Sequence, residues 1–166
     1  MKKCIFMTLV VFFPLLTGCK PSGDPLTIRT IDEVVIGNME SELAHDFDGE
    51  NFRSGAANGG NWRDARGDNG GYYRYTLKTG GKNNLILWVR YWGNDQGNRS
   101  FNIFIDDKHL ADENISGKWN EDTFYNLEYR IPADMVKSRK NVVVKFQSTG
   151  DNIAGGIYGL RMLGNK

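Results

Sequence analysis

The chain has 166 residues, 40% of them hydrophobic, and a formal net charge of +1 at pH 7, which corresponds to one ordinary globular domain. The balance of 21 basic and 20 acidic residues argues against a nucleic-acid-binding protein or one attracted to anionic membranes. The 20 glycines and the frequent Asn and Asp residues predict numerous turns.

The N-terminus predicts export. Lys2 and Lys3 precede an apolar run over residues 5–16, and such a short run behind a basic start is typical of a signal peptide rather than of a membrane span. The sequence Leu-Thr-Gly-Cys at residues 16–19 then resembles the bacterial lipobox. That resemblance implies removal of residues 1–18 and acylation of Cys19 as the first mature residue.

Cleavage there would leave 148 residues, in which 19 basic residues face 20 acidic ones. Cys4 would leave with the signal and Cys19 would carry lipid, so we expect no disulfide and no cysteine metal site. Residues 19–30 are predicted to be a tether and residues 31–166 a single domain. Lys20 and Pro21 lack the Asp of an inner-membrane retention signal, which favours the outer membrane, with either face open.

The mature chain predicts a succession of short strands separated by turns. Residues 41–47 are compatible with a helical turn or an irregular edge, residues 51–68 with a long loop, and residues 133–138 with one helical turn. The predicted strands cover residues 31–36, 72–78, 85–92, 101–106, 109–115, 124–131, 141–146 and 155–163.

This pattern predicts an all-β sandwich, because short strands follow one another without long intervening helices. The expected core between two sheets comprises Leu87, Val89, Phe101, Ile103 and Val143. Trp88 is interpreted as a core residue too, and Trp92, at the end of its strand, as core or rim.

Seven short segments, in order, resemble the small C-terminal domain appended to β-L-arabinofuranosidase-like glycoside hydrolases. The resemblance implies a jelly-roll or galactose-binding-like sandwich, the architecture of many carbohydrate-binding modules. It carries over no catalytic residue, because the hydrolases' chemistry sits in a separate helical barrel with a cysteine-rich metal site. The segments are Ile31-Asp32-Glu33-Val34, Glu40-Ser41-Glu42 with His45, Arg63-Asp64-Ala65, Tyr91-Trp92-Gly93 with Arg99 and Phe101, Gly117-Lys118-Trp119-Asn120, Glu128-Tyr129-Arg130-Ile131-Pro132 and Ala154-Gly155-Gly156-Ile157-Tyr158.

The sequence does not predict an enzyme. The carboxylate pair Asp106-Asp107 stands at adjacent positions, which point in opposite directions on a strand and into solvent on a turn. His45 and His109 are the only histidines, and no nucleophile motif accompanies them.

Glu40 or Glu42, together with Asp151, would suit a structural calcium, because Ca²⁺ takes carboxylate and carbonyl oxygens in loose geometry. The alternative is that all three carboxylates are solvated. A structural calcium is therefore a possible cofactor, and the sequence predicts no other.

Loop aromatics give the main functional indication. Trp62 and Trp119 lie in polar, glycine-rich surroundings, where a flat ring would stack on the apolar face of a sugar. The alternative is that both indoles fold back as lids over the core. We predict that they lie on loops at one rim, with Asn120, Asn94, Asp95 and Arg99 as hydroxyl partners.

Two functions follow. The first is a non-catalytic carbohydrate-binding lipoprotein of a glycan-utilisation system. The second is an assembly domain that docks onto a glycoside hydrolase or surface complex without binding sugar itself.

We expect Cys19→Ser to abolish lipidation. In the signals that residues 16–19 resemble, the cysteine sulfur takes the diacylglyceryl group, and serine has no sulfur. The variant should appear in the soluble fraction or keep its signal peptide, as measured by membrane fractionation and mass spectrometry. Equal membrane partitioning and normal cleavage in both proteins would contradict the prediction.

Overall fold

The computed structural model describes residues 28–68 and 70–165 as two antiparallel β-sheets with two short helices. The predicted signal peptide, Cys19 and most of the tether lie outside these residues. The strands are β1 (Ile28–Val34), β2 (Asp48–Glu50), β3 (Phe52–Ala57), β4 (Gly60–Arg66), β5 (Tyr72–Lys78), β6 (Leu85–Trp92), β7 (Ser100–Ile105), β8 (Lys108–Asn114), β9 (Phe124–Ile131), β10 (Asn141–Ser148) and β11 (Ile153–Asn165), and the helices are α1 (Met39–Ala44) and α2 (Ala133–Val136).

One sheet has the order β3-β4-β11-β6-β9, and β1 also pairs with β11; the other has the order β2-β5-β10-β7-β8. The long strand β11 serves two neighbours on the same edge, β4 with its first residues and β1 with its last. This arrangement confirms the predicted all-β jelly-roll sandwich. Both helices among the described residues are too short to cross a membrane.

The core forms because side chains alternate between the inner and the outer face along the central strands β6, β7 and β10. On β6, Leu87, Val89 and Tyr91 are fully buried, whereas Arg90 and Trp92 on the other face are half-buried. Removing the inward side chains from water is the main driving force for such a sandwich. Leu87, Val89, Phe101 and Ile103 are buried as predicted.

Two core predictions were wrong. Val143 faces outward, because Val142 and Val144 are the buried residues of β10. Trp88 lies half-buried on the outer face of β6, where the guanidinium groups of Arg90 and Arg161 lie 5.4 and 4.6 Å from its ring centroid. Strand alternation, rather than hydrophobicity alone, decides both positions.

The prediction of a long loop over residues 51–68 was wrong, because these residues contain the hairpin of β3 and β4. Asn58 and Gly59 form its two-residue turn and both have positive φ, at 56° and 80°. Asn-Gly is the favoured pair for such a hairpin turn. For residues 41–47 the sequence allowed a helical turn or an irregular edge, and the structure has helix α1 as far as Ala44. The Asn38 side chain caps α1 by accepting a hydrogen bond from the Ser41 backbone N–H at 2.9 Å.

The burial difference across β6 and β10 is testable. We expect Leu87→Ala to lower the free energy of unfolding by about 2–5 kcal/mol, because it leaves a cavity in the closed core. The matched control Val143→Ala should cost less than about 1 kcal/mol, since that side chain is already half-exposed. Urea unfolding measures both, and equal losses at the two positions would refute the strand register.

Candidate functional site

Three aromatic rings form a row on the outer face of the β4-β11-β6-β9 side of the sandwich. Trp92 ends β6 and pairs with Phe124, which begins β9, and their ring centroids lie 5.1 Å apart. Phe124 lies 5.0 Å from Tyr158 of β11. All three rings are half-buried, so each keeps part of its surface in water. We call Trp92, Phe124 and Tyr158 the ring row.

Tyr158 reaches this face because β11 is irregular there. The pairing of β11 with β6 shifts register between Ile157 and Gly159, as expected at a β-bulge. Gly60 lies opposite, and a Cβ atom at that position would approach Tyr158 Cδ1 to 3.1 Å. The Asn58 side-chain amide donates a hydrogen bond to the Tyr158 hydroxyl at 3.3 Å, and burial raises the pKa of that hydroxyl.

Exposed polar side chains lie on the loops next to the strand ends that carry Trp92 and Phe124. Asn94 Nδ2 donates to Asp122 Oδ1 at 2.7 Å, and Gln96 Nε2 donates to both Asn94 Oδ1 at 2.8 Å and Asn120 Oδ1 at 3.0 Å. These four residues come from the β6–β7 and β8–β9 loops and are all exposed. We call Asn94, Gln96, Asn120 and Asp122 the amide cluster.

A buried ion network holds the β6–β7 loop in place. Asp64, whose side chain is 0% exposed, accepts two hydrogen bonds from Arg53, at 2.9 and 2.7 Å, and a third from Arg99 Nη1 at 2.6 Å. Arg99 Nε also donates to Asp95 at 3.1 Å. Burial opposes the charge of Arg99, but its hydrogen bond to Asp64 and the charge of Asp95 outweigh this effect and raise its pKa.

The same network connects the two loops of the amide cluster. The backbone carbonyl of Asp95 accepts a hydrogen bond from the Gly117 N–H at 3.1 Å, three residues before Asn120. Gly156 has a φ of 86°, and a Cβ atom there would lie 2.9 Å from Asp95 Oδ2. Glycine is therefore required for close contact as well as for backbone conformation.

The structure brings four of the six predicted ligand-binding residues together. Asn94 and Asn120 meet through Gln96, and Asp95 pairs with Arg99. The side chains of Asp95 and Arg99 are each only 14% exposed, so they position the loop rather than present hydroxyl partners. Contact of Asn94 and Asn120 with a ligand stays a prediction.

The two tryptophans are not the exposed loop residues that we predicted. Trp62 lies within β4, half-buried, with its ring so close to Gly55 that a Cβ atom there would be 2.5 Å from Trp62 Cζ2. Trp119 does lie in a loop, but it stacks on Tyr125 with centroids 4.6 Å apart and planes 3° from parallel, and it packs against the core. The geometry of Trp119 fits the lid interpretation.

Sequence reasoning missed most of the ring row. The sequence predicts Trp92 as core or rim, and it predicts Phe124 and Tyr158 as strand residues without a functional role. Alternation with the buried Tyr91 is the signal that places Trp92 outside. No comparable signal identifies Tyr158, because its position depends on the bulge.

The carboxylates proposed for calcium are not gathered into a site. Glu42 is buried and accepts hydrogen bonds from Arg63 and from the Tyr75 hydroxyl, whereas Glu40 and Asp151 are exposed. Within residues 28–68 and 70–165 no group of three or more Asp, Glu, His or Cys side chains could hold a metal ion. Calcium binding stays a prediction that this geometry does not favour.

The fold and the site define a β-sandwich module with an aromatic face bordered by amides. The chain belongs to a protein family of unknown function, DUF6805, whose family model matches residues 25–163. A comparison with curated proteins found no match.

Solved structures show the same fold. A family 35 carbohydrate binding module from Clostridium thermocellum is 16% identical, with a TM-score of 0.52 over 70% of this chain and 91% of that chain. The plant receptor-like kinase ANX2 is 12% identical, with a TM-score of 0.55 over 84% of this chain and 49% of that chain. Identities this low establish the fold, so the function has to be argued from the site.

The ion network predicts a large loss when its centre is removed. Asp64→Ala should lower the free energy of unfolding by about 3–5 kcal/mol, because two arginines would lose a buried partner. The matched control Asp48→Ala removes an ion pair with Arg74 whose side chains are both nearly half-exposed, and should cost less than about 1 kcal/mol. Urea unfolding compares them, and a similarly small loss in Asp64→Ala would contradict the structural role of the network.

Proposed function

We propose that the protein is a non-catalytic carbohydrate-binding lipoprotein of a glycan-utilisation system, with the ring row and amide cluster as its glycan site. The continuity of the two sets carries the proposal. Trp92 and Phe124 are paired across β6 and β9. Asn94, two residues after Trp92, donates a hydrogen bond to Asp122, two residues before Phe124. Stacking surface and hydrogen-bonding groups therefore occupy one stretch of surface.

This combination suits the chemistry of a sugar. The carbon-bound hydrogens of a pyranose form weakly apolar faces that rest on aromatic rings, while its hydroxyls both donate and accept hydrogen bonds. Side-chain amides match the hydroxyls because each amide offers a donor and an acceptor. An exposed site of this kind binds weakly, in the range of about −4 to −8 kcal/mol, or millimolar to micromolar.

The structural similarity supports binding rather than catalysis. The Clostridium thermocellum structure is, by its description, a carbohydrate binding module, and it shares the sandwich along most of its length. The acidic residues beside the ring row, Glu121 and Asp122, are neighbours in one exposed loop, where they accept hydrogen bonds from Tyr125 and Asn94. A glycosidase would instead need two carboxylates facing each other across a bound sugar.

The anchoring part of the proposal rests on sequence. Acylation of Cys19 would hold the domain at the outer membrane through the tether of residues 19–30, on the periplasmic or the cell-surface side. A tether of this length lets the sandwich reach a glycan or a membrane-associated hydrolase.

The alternative function, an assembly domain without sugar affinity, is favoured by one observation. Exposed apolar side chains gather around α1, where Met39 is 76% and Leu43 is 68% exposed. Such groups mark contact with another macromolecule more often than contact with a sugar. Glycan binding separates the two functions.

The test is calorimetry and tryptophan fluorescence against plant and host polysaccharides. Phe124→Ala and Tyr158→Ala should each weaken glycan binding by about tenfold, corresponding to about 1.4 kcal/mol, because each removes a stacking ring. Asn94→Ala should weaken it too. The matched control is Phe104→Ala, which removes a half-buried ring from the outer face of the other sheet and should leave binding unchanged.

The same experiment tests the two tryptophans, Trp62 and Trp119, that the sequence predicted as sugar-binding residues. We expect Trp62→Ala and Trp119→Ala to affect stability more than affinity, since both indoles pack against the protein. Loss of binding in these variants but not in Phe124→Ala would move the site away from the ring row. Absence of binding to every glycan tested would support the assembly function.

A further inference from the structure

Exposed apolar side chains are concentrated at one place on the described surface. Of the five large hydrophobic residues that are exposed, Val35, Met39, Leu43 and Phe52 lie in or beside α1, and only Ile28 lies elsewhere, at the start of β1. We call the four the α1 patch. Scattered exposed hydrophobics are ordinary, but a contiguous group indicates an interaction surface.

Three of the four α1 patch residues, Met39, Leu43 and Phe52, line a cleft of about 310 Å³. Met39 and Leu43 form its helical side, Phe52 the strand side, and Phe47 and Arg63 also line it. The Arg63 guanidinium carbon lies 4.5 Å from the Phe47 ring centroid and 5.4 Å from that of Phe52. The cleft has room for one large apolar side chain.

A buried ion pair keeps α1 in position beside this cleft. Arg63 donates to Glu42 Oε2, while the Tyr75 hydroxyl donates to Glu42 Oε1 at 2.8 Å. Both charged side chains are less than one-tenth exposed, so neither is available to a partner's charge. The apolar walls, rather than this pair, would make the contact.

The chain segment that carries most of the α1 patch is acidic. Residues 37–52 contain five acidic residues and no Lys or Arg. Glu42 pairs with Arg63 and Asp48 with Arg74, whereas Glu40, Asp46 and Glu50 are exposed and join no ion pair among the described residues. Arg53, beside Phe52, is occupied by Asp64. The uncompensated charge of the segment that forms α1 and leads to Phe52 is thus negative.

We propose that the α1 patch docks a protein partner that inserts an apolar side chain into the cleft and surrounds it with lysine or arginine. Complementary charge around an apolar anchor is the usual arrangement of a protein interface. A symmetric dimer would set one acidic segment against another, and an anionic membrane would be repelled in the same way. The surface shares no residue with the ring row or the amide cluster, so it is independent of glycan binding.

The test titrates the full-length protein with a helical amphipathic peptide of leucine and lysine, and with a second peptide in which glutamate replaces lysine. The lysine peptide should bind and the glutamate peptide should not. Leu43→Glu should weaken binding of the lysine peptide by about tenfold or more, as at an interface anchor. Ile28→Glu is the matched control, because it adds the same charge at an exposed apolar residue outside the patch, and it should bind normally.

Charge reversal makes the test sharper. The double substitution Glu40→Lys and Glu50→Lys should shift preference toward the glutamate peptide. Equal binding of both peptides, or binding insensitive to Leu43→Glu, would overturn the proposal. So would Leu43-dependent dimerisation in sedimentation, or Leu43-dependent binding to anionic vesicles, since each would identify another occupant. Glycan binding by Leu43→Glu should equal that of the parent protein, which separates this proposal from the glycan site.

Discussion

The buried carboxylate of Asp64 is the constraint on which the rest of the site depends. It takes its partners from β3, through Arg53, and from the β6–β7 loop, through Arg99. Moving these charges out of water is costly, and the network compensates only when every partner is in place. It therefore selects one arrangement of strand and loop rather than simply adding stability. Because Asp95 links Arg99 to Gly117, the same arrangement sets where both loops of the amide cluster stand.

The bulge in β11 is a second constraint, because it decides which residues of this strand face the core and which face outward. Ala154, Ile157 and Leu160 are fully buried, and an unbroken alternation could not bury all three. Gly155 and Gly156, with φ of 81° and 86°, absorb the irregularity. Tyr158 is released to the surface as a result, beside Phe124. The aromatic face is thus a consequence of the way in which this strand is accommodated in the sandwich.

The sequence predicted the fold class and most strands, because alternation is a local property that survives folding. It failed where hydrophobicity and alternation disagree, as at Trp88, whose outward-facing ring packs against arginines from its own and the neighbouring strand. It also missed the Asn58-Gly59 hairpin, although that pair is a strong local signal. The contact between Arg99 and Asp64 joins residues 35 positions apart, and no local pattern predicts it. The prediction that Trp62 and Trp119 are exposed failed because polar neighbours in sequence do not show what a ring packs against in space.

The two proposed surfaces differ in chemistry, and the difference suggests how they would work together. The ring row and the amide cluster, with Asp122 as its only carboxylate, form a shallow site that would bind a single sugar weakly. A lipid anchor or a docked partner holds such a site close to its glycan, and confinement raises the effective concentration without any new contact. The α1 patch, which is apolar and is carried mostly by an acidic segment, is suited to that second role and not to sugar. A weak glycan site and a protein-docking site on one small sandwich are therefore complementary, because attachment through one surface makes the low affinity of the other sufficient.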